Sequence, residues 1–360
     1  MKWESNRAGI RLACHQLTEP DFDRPEDLVS WMGALQAQDY TMSKWAVGIR
    51  LKSGSLLQVD KALESGEIVR SHVMRPTWHW VAGEDLRWML QLTAPRIKKT
   101  IDAWVKSGGL VIPENLYTKC NDLIGKMLTG HHSFTREEIE SGLGKAGIPT
   151  ENERVKCYIL RAELEGIVCS GADREGKPTY TLLDEHIPFC RNLHREEALA
   201  ELAIRYFRSH SPATLKDFVW WSGLTATEAK QATGLVSEQL IREISGSQEL
   251  LCYAFCKVGK TKNIMHFLPP FDEYLISYKD RTAVLPQEHH PKAFNKWGSF
   301  YPVILYEGQI VGNWKKTIKK GDITFTTSFF EPSPEMDSNL LKKAEDCYRI
   351  FLGKNDCSLH

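Results

Sequence analysis

Two amide side chains separated by one alanine, Gln36 and Gln38 in Leu35-Gln36-Ala37-Gln38-Asp39, are the residues of this 360-residue chain whose types and spacing point most directly to chemistry. An amide offers an acceptor oxygen and two N–H donors without a net charge. Such a pair can orient a water and stabilise positive charge, but it is a poor base. It suits a reaction whose leaving group is already activated. On a regular helix, positions i and i+2 lie about 200° apart. The pair therefore converges on one target only where the chain bends or a helix ends. Asp39-Tyr40-Thr41-Met42-Ser43 reads as poorly helical and places such an end directly after the motif. Taken alone, the pair also reads as polar residues on the exposed side of a fraying helix.

A second constellation follows in Arg75-Pro76-Thr77-Trp78-His79-Trp80. On a strand, Thr77 and His79 project to one face, and Arg75 shares it. Arg75 is placed to contact a phosphate. For His79 two readings stand, a contact to a phosphate or a base edge and a buried histidine satisfied by backbone. Trp78, Trp80 and Trp88 read as core.

The elements that must position these residues follow from periodicity. Pro25-Glu26-Asp27 opens a helix, with proline in the first turn and acids at the positive end of the dipole. Leu28, Trp31, Met32 and Leu35 fall at helical spacing on one stripe, so the glutamines sit at or just past its end. Leu57 to Leu63 suggests another helix, Ile68 to Val81 an extended segment, and Asp85 to Leu92 a return to helix. Thr135 with Glu138 is a capping-box signature, followed by a glycine-rich break at 142–147. Glu153 to Glu165 is a helix with Val155, Tyr158, Ile159 and Ala162 on one side. A hairpin runs from 167 to 183 with a polar loop at 171–178. Helix, turn, helix, hairpin is the winged-helix order, and Glu196 to Thr233 repeats the theme. The last hundred residues are β-rich, with a hairpin turning at Glu307-Gly308 and a closing helix from Asn339 to Phe351. The reading is α+β, with tandem winged-helix (helix-turn-helix) units at 1–112, 113–192 and 193–260 and a small barrel-like β-rich domain at 261–360.

Composition narrows the partners. Lys and Arg total 46, Asp and Glu 46, so the formal net charge is zero. That argues against nucleic-acid binding through bulk charge. Lys315, Lys316, Lys319 and Lys320 still cluster without an intervening acid, as do Arg96, Lys98 and Lys99, and both are compatible with a local groove or a solvated face. The nine cysteines include no Cys-x-x-Cys pair, Cys252 and Cys256 being the nearest neighbours. They read as free thiols. The adjacent pairs His131-His132 and His289-His290 read as solvated loop residues, so no metal and no cofactor is expected. Met1 to Arg7 lacks the apolar stretch of a signal peptide, and no apolar run approaches the ~18 residues of a membrane span. The expectation is a cytoplasmic chain without a membrane partner.

The Gln-Ala-Gln run, the Met74 to His79 segment, Leu268-Pro269-Pro270-Phe271-Asp272-Glu273-Tyr274 with Tyr278-Lys279-Asp280-Arg281, and the Gly308 to Trp314 hairpin together resemble the winged-helix DNA glycosylases of the AlkZ/YcaQ kind. Their motif is glutamine, an apolar residue, then glutamine or aspartate, and the second position here is the AlkZ-type glutamine. The resemblance implies that Gln36 and Gln38 are catalytic. It implies a partner in double-stranded DNA with alkylated bases, nucleoid association, and a reach that extends to bulky adducts and interstrand crosslinks. A hairpin probing the groove would be either 171–178, with Arg174 and Lys177, or the Lys315–Lys320 region. Without the resemblance, the same fold also serves a non-catalytic winged-helix regulator. Asp272 reads as a turn anchor or as a partner of Lys279 or Arg281.

Overall fold

The computed structural model describes residues 6–187, 189–319, 322–331 and 337–354. Its contacts form two compact units, Met1–Val59 with Leu199–His360, and Asp60–Ala198.

The chain opens with α1 (Arg7–Cys14) and α2 (Pro25–Met32). Pro25 at the start and Glu26 and Asp27 in the first turn match the dipole at the entry to α2, and Leu28, Val29 and Met32 are buried. The helix stops at Gly33, whose φ of 78° suits glycine. A side chain there would meet Arg205 and Trp221 at 3.2 and 3.3 Å. Leu35 therefore lies beyond the helical stripe, in the two-residue strand β1 (Leu35–Gln36). Asp39 then caps α3 (Tyr40–Gly48), accepting the Met42 N–H at 2.9 Å. This corrects the reading of 39–43 as poorly helical: Asp39 supplies the cap that starts a helix there.

Across residue 60 runs α4 (Leu56–Glu64), followed by the antiparallel pair β2 (Ile68–His72) and β3 (Trp78–Ala82), with Ile68 opposite Ala82 and His72 opposite Trp78. The extended segment is thus broken by a turn at 73–77, where Met74 has φ 61°. Next come α5 (Leu86–Ser107), α6 (Glu114–Leu128), α7 (Arg136–Lys145), α8 (Arg154–Leu164), the hairpin β4 (Val168–Arg174) and β5 (Lys177–Leu182), and a short α9 (Leu183–His186). The Thr135–Glu138 capping box is present. Glycines 142 and 144 do not break α7, which runs on to Lys145 because a helix tolerates single glycines at a modest cost. Val155, Tyr158, Ile159 and Ala162 of α8 pack with Tyr117, Ile124, Leu128, Ile139 and Leu143 into the core of this unit.

The return to the first unit is α10 (Arg195–His210), then α11 (Leu215–Ser222) and α12 (Ala226–Leu235), the latter two started by capping boxes at Thr214 and Thr225. The hairpin β6 (Leu240–Ser245) and β7 (Gln248–Tyr253) follows. Among the described residues the antiparallel pairs β2–β3, β4–β5 and β6–β7 each follow helices, in an α+β layout. The C-terminal third holds β8 (Met265–Leu268), the short α13 (Glu273–Ile276) and α14 (His290–Ala293), then β9 (Val303–Tyr306), β10 (Gln309–Lys319), β11 (Asp322–Phe329) and α15 (Ser338–Phe351). Its antiparallel sheet has the order β11-β10-β9-β8. The turn at Glu307 and Gly308 has both φ values positive, as a tight hairpin requires.

Candidate active site

Gln36 ends the two-residue strand β1 and Gln38 lies at a bend two residues on, both in the link between α2 and α3. Leu35 and Ala37 are completely buried and anchor the link. Gln36 is 5% exposed, whereas Gln38 is open to solvent. The backbone is held from behind: the Gln36 N–H donates to Glu273 Oε1 at 2.6 Å. Glu273, at the start of α13, is itself 1% exposed. Its Oε2 accepts from Trp221 Nε1 at 3.2 Å and from Ser277 Oγ, and His210 Nε2 lies 3.6 Å away. Beyond it, His15 Nε2 meets the Tyr278 hydroxyl at 2.9 Å, and that hydroxyl donates to the His210 carbonyl at 3.0 Å.

One residue earlier, Asp272 forms a two-pronged pair with Arg50, at 2.7 and 2.9 Å, with both side chains buried. This corrects the expected partners: Lys279 and Arg281 do not hold Asp272. The Arg281 Nε goes instead to the Leu275 carbonyl, and the Lys279 N–H to Asp217. Arg50 is brought from 222 residues away by the packing of α3's end onto this segment.

Lys316 flanks the motif. It bonds the Tyr348 hydroxyl and lies 4.7 Å over that ring. Tyr348 in turn reaches Met42 Sδ in the first turn of α3 at 3.6 Å. Burial lowers the Lys316 pKa, and the Asp39 carboxylate pulls it back up. Lys315, the next residue on β10, is exposed opposite Thr326. Lys320 lies outside the described residues.

Arg75, Thr77, His79, Arg174 and Lys177 all belong to the other compact unit. His79 is completely buried, and its Nδ1 sits 2.9 Å from the Thr77 carbonyl, which favours the backbone-satisfied reading of this residue. Thr77 lies in the turn before β3, so the expected strand alternation with His79 does not reach it. Arg174 and Lys177 face each other at the tip of the β4–β5 hairpin, and Arg174 is ion-paired to Glu138. Of the histidines read as loop residues, His131 and His132 are exposed, but His289 is buried with its Nε2 3.1 Å from Glu331. It packs on Phe330, while Pro286, Gln287 and Glu288 of the same turn stay exposed.

Burial holds His15 well below its usual range, lowers His210 and pushes His266 down to about 4. The folded values lie below the unfolded 6.5, so the unfolded chain takes up protons first as pH falls. This contribution is intact above about pH 6.5 and is lost progressively towards pH 4. His266 alone accounts for up to about 3 kcal/mol at about 1.4 kcal/mol per pKa unit. Urea unfolding at pH 7.5, 6, 5 and 4 should show this decline, and His266→Gln should remove part of the slope. A pH-independent stability over that window contradicts it.

A family model described as DNA glycosylase AlkZ-like matches residues 29–349, spanning the Gln-Ala-Gln segment, Glu273 and Lys316. The chain belongs to the AlkZ-like DNA glycosylases. An interstrand DNA cross-link repair glycosylase of Streptomyces sahachiroi is 23% identical over 312 residues, covering 80% of this chain and 81% of the relative. The solved structure of the Streptomyces sahachiroi DNA glycosylase AlkZ superposes with a TM-score of 0.79 at 19% identity, over 98% of this chain and 97% of that one. This likeness shows the fold. As an AlkZ-like protein the chain is a DNA repair glycosylase. Arg50, Trp221, Glu273 and Ser277 were not assigned a role from sequence. Glu273 lies within the Pro269–Tyr274 segment that carried the family likeness, but its acceptor role depends on contacts 52 and 237 residues away. Among the described residues no helix is long and apolar enough to cross a membrane, and no group of three or more His, Cys, Asp or Glu is placed to hold a metal.

Proposed function

We propose that this AlkZ-like chain hydrolyses the N-glycosidic bond of cationic, N7-alkylated purines in duplex DNA, with Gln36 and Gln38 as the catalytic residues. The observation that carries this reading is the pair of uncharged amides separated by one buried alanine in the short link between α2 and α3, with no carboxylate between them. A purine alkylated at N7 already carries positive charge. Its C1′–N9 bond breaks with the electron pair passing to the base, which leaves neutral. The enzyme then has to place a water against C1′ and stabilise oxocarbenium-like charge there, and amide oxygens serve both ends. The water's oxygen bonds C1′, its proton goes to solvent, and an abasic site remains.

The reading is of a monofunctional hydrolase acting without metal or cofactor, on bulky adducts and interstrand crosslinks as well as small lesions. The Streptomyces relative named for cross-link repair supports that extension. Lys315, Lys316, Arg75, Thr77, His79, Arg174 and Lys177 are proposed as substrate or DNA contacts, and the hairpin 171–178 and the Lys315–Lys320 region as alternative groove probes. The segmentation at 112, 192 and 260 is likewise proposed. Incubation with a duplex containing N7-methylguanine tests the reading. Free base together with an intact abasic strand, and no borohydride-trapped protein adduct, is the expected result. Tight duplex binding with every lesion base retained would favour a winged-helix regulator instead.

A further inference from the structure

We infer that Glu273 is a positioning residue for catalysis, a buried carboxyl group that sets the backbone of Gln36 and so the aim of its amide. This rests on the proposed role of Gln36. Three donors converge on the one side chain. The Gln36 N–H takes Oε1 at 2.6 Å, and Trp221 Nε1 at 3.2 Å and Ser277 Oγ take Oε2. A carboxylate is acceptor-only and answers donors on both oxygens, whereas an amide of the same shape has one oxygen and one NH2. Whichever way the amide of E273Q turns, its NH2 faces either the Gln36 N–H or the Trp221 N–H. The side chain is 1% exposed, so no water is at hand to relieve the clash.

The side chain is held by hydrogen bonds, one of which ends on the backbone of the candidate catalytic residue. His210 Nε2 lies 3.6 Å from Oε2, and burial lowers the pKa of that imidazole.

The geometry also predicts a rescue. In W221F/E273Q the amide oxygen faces the Gln36 N–H, while its NH2 faces Ser277 and, 3.6 Å from the Oε2 position, the His210 Nε2. The Ser277 hydroxyl can accept that N–H, because its own proton already has the residue-273 carbonyl as partner at 2.6 Å. The double variant then restores the bond to Gln36 without the carboxylate.

Single-turnover release of N7-methylguanine, with duplex affinity and unfolding measured in parallel, tests this on the full chain. E273Q should slow release by about 10- to 100-fold with duplex Kd unchanged, and W221F/E273Q should recover most of the loss. E273D, which keeps the carboxyl group but withdraws the acceptor from Gln36, should also be slow and supplies the test if E273Q does not fold. A folded E273Q or E273D releasing base at the wild-type rate overturns the inference, as does a folded double variant no faster than E273Q. Gln36→Ala separates the two levels. Loss of release in Gln36→Ala beside wild-type rates in the Glu273 variants removes only the role of Glu273. No release by wild-type protein removes both.

Discussion

Asp272→Asn should lower the free energy of unfolding by about 3–5 kcal/mol, because it leaves a buried guanidinium without its counter-charge. Arg50 and Asp272 are 0% and 1% exposed at the side chain, and the pair is bidentate. Asparagine keeps the volume and one acceptor, enough to hold the Tyr274 N–H that Asp272 Oδ1 accepts at 2.9 Å. It turns an NH2 towards the Arg50 fork, however, and removes the negative charge. The cost is then that of stranding Arg50, whose remaining partner is the Ala46 carbonyl at 2.9 Å. Urea denaturation of the variant checks this, and a loss below about 1 kcal/mol, typical of a surface pair, would contradict it. A loss of the expected size would also disturb Glu273, since both residues sit on the same turn into α13.

The second large effect concerns the charge of the leaving base. Wild-type protein should release N7-methylguanine, while undamaged guanine, uracil and a neutral 7-deaza-7-methyl analogue in the same duplex context should stay untouched. A neutral base needs a general acid to leave, a contribution of about 10²–10⁴-fold, and Gln36 and Gln38 have no proton to give. Asp39, the nearest carboxylate in sequence, is engaged in capping α3. Discrimination of at least about 10³-fold between the methylated and deaza substrates is therefore expected. Comparable release of uracil would mean that a proton donor operates and that the amide mechanism is wrong.

Much of the local structure was readable because its causes are local. The start of α2 at Pro25, the Thr135 capping box, the Glu307–Gly308 turn and the final helix each depend on residues a few positions apart. The motif itself was found, and so was the need for a break in the helix at that point. Its conformation was not, since Gly33 ends α2 one turn before the apolar stripe runs out and Asp39 starts the next helix. What the sequence could not reveal are pairings across 222 and 237 residues, Arg50 with Asp272 and Gln36 with Glu273. Lys279 and Arg281 were nearer in the chain, and proximity in sequence suggested partners that packing did not choose. His289 shows the same limit: polarity pointed outward, while packing on Phe330 took it in.

The most direct test of the account is base release from duplex N7-methylguanine under single-turnover conditions by wild type, Gln36→Ala and Gln38→Ala, with duplex affinity measured alongside. The account predicts rapid release by wild type, a fall of about 10²-fold or more in each variant, and unchanged binding. Release at the wild-type rate by both variants would show that the amides are bystanders and would contradict it.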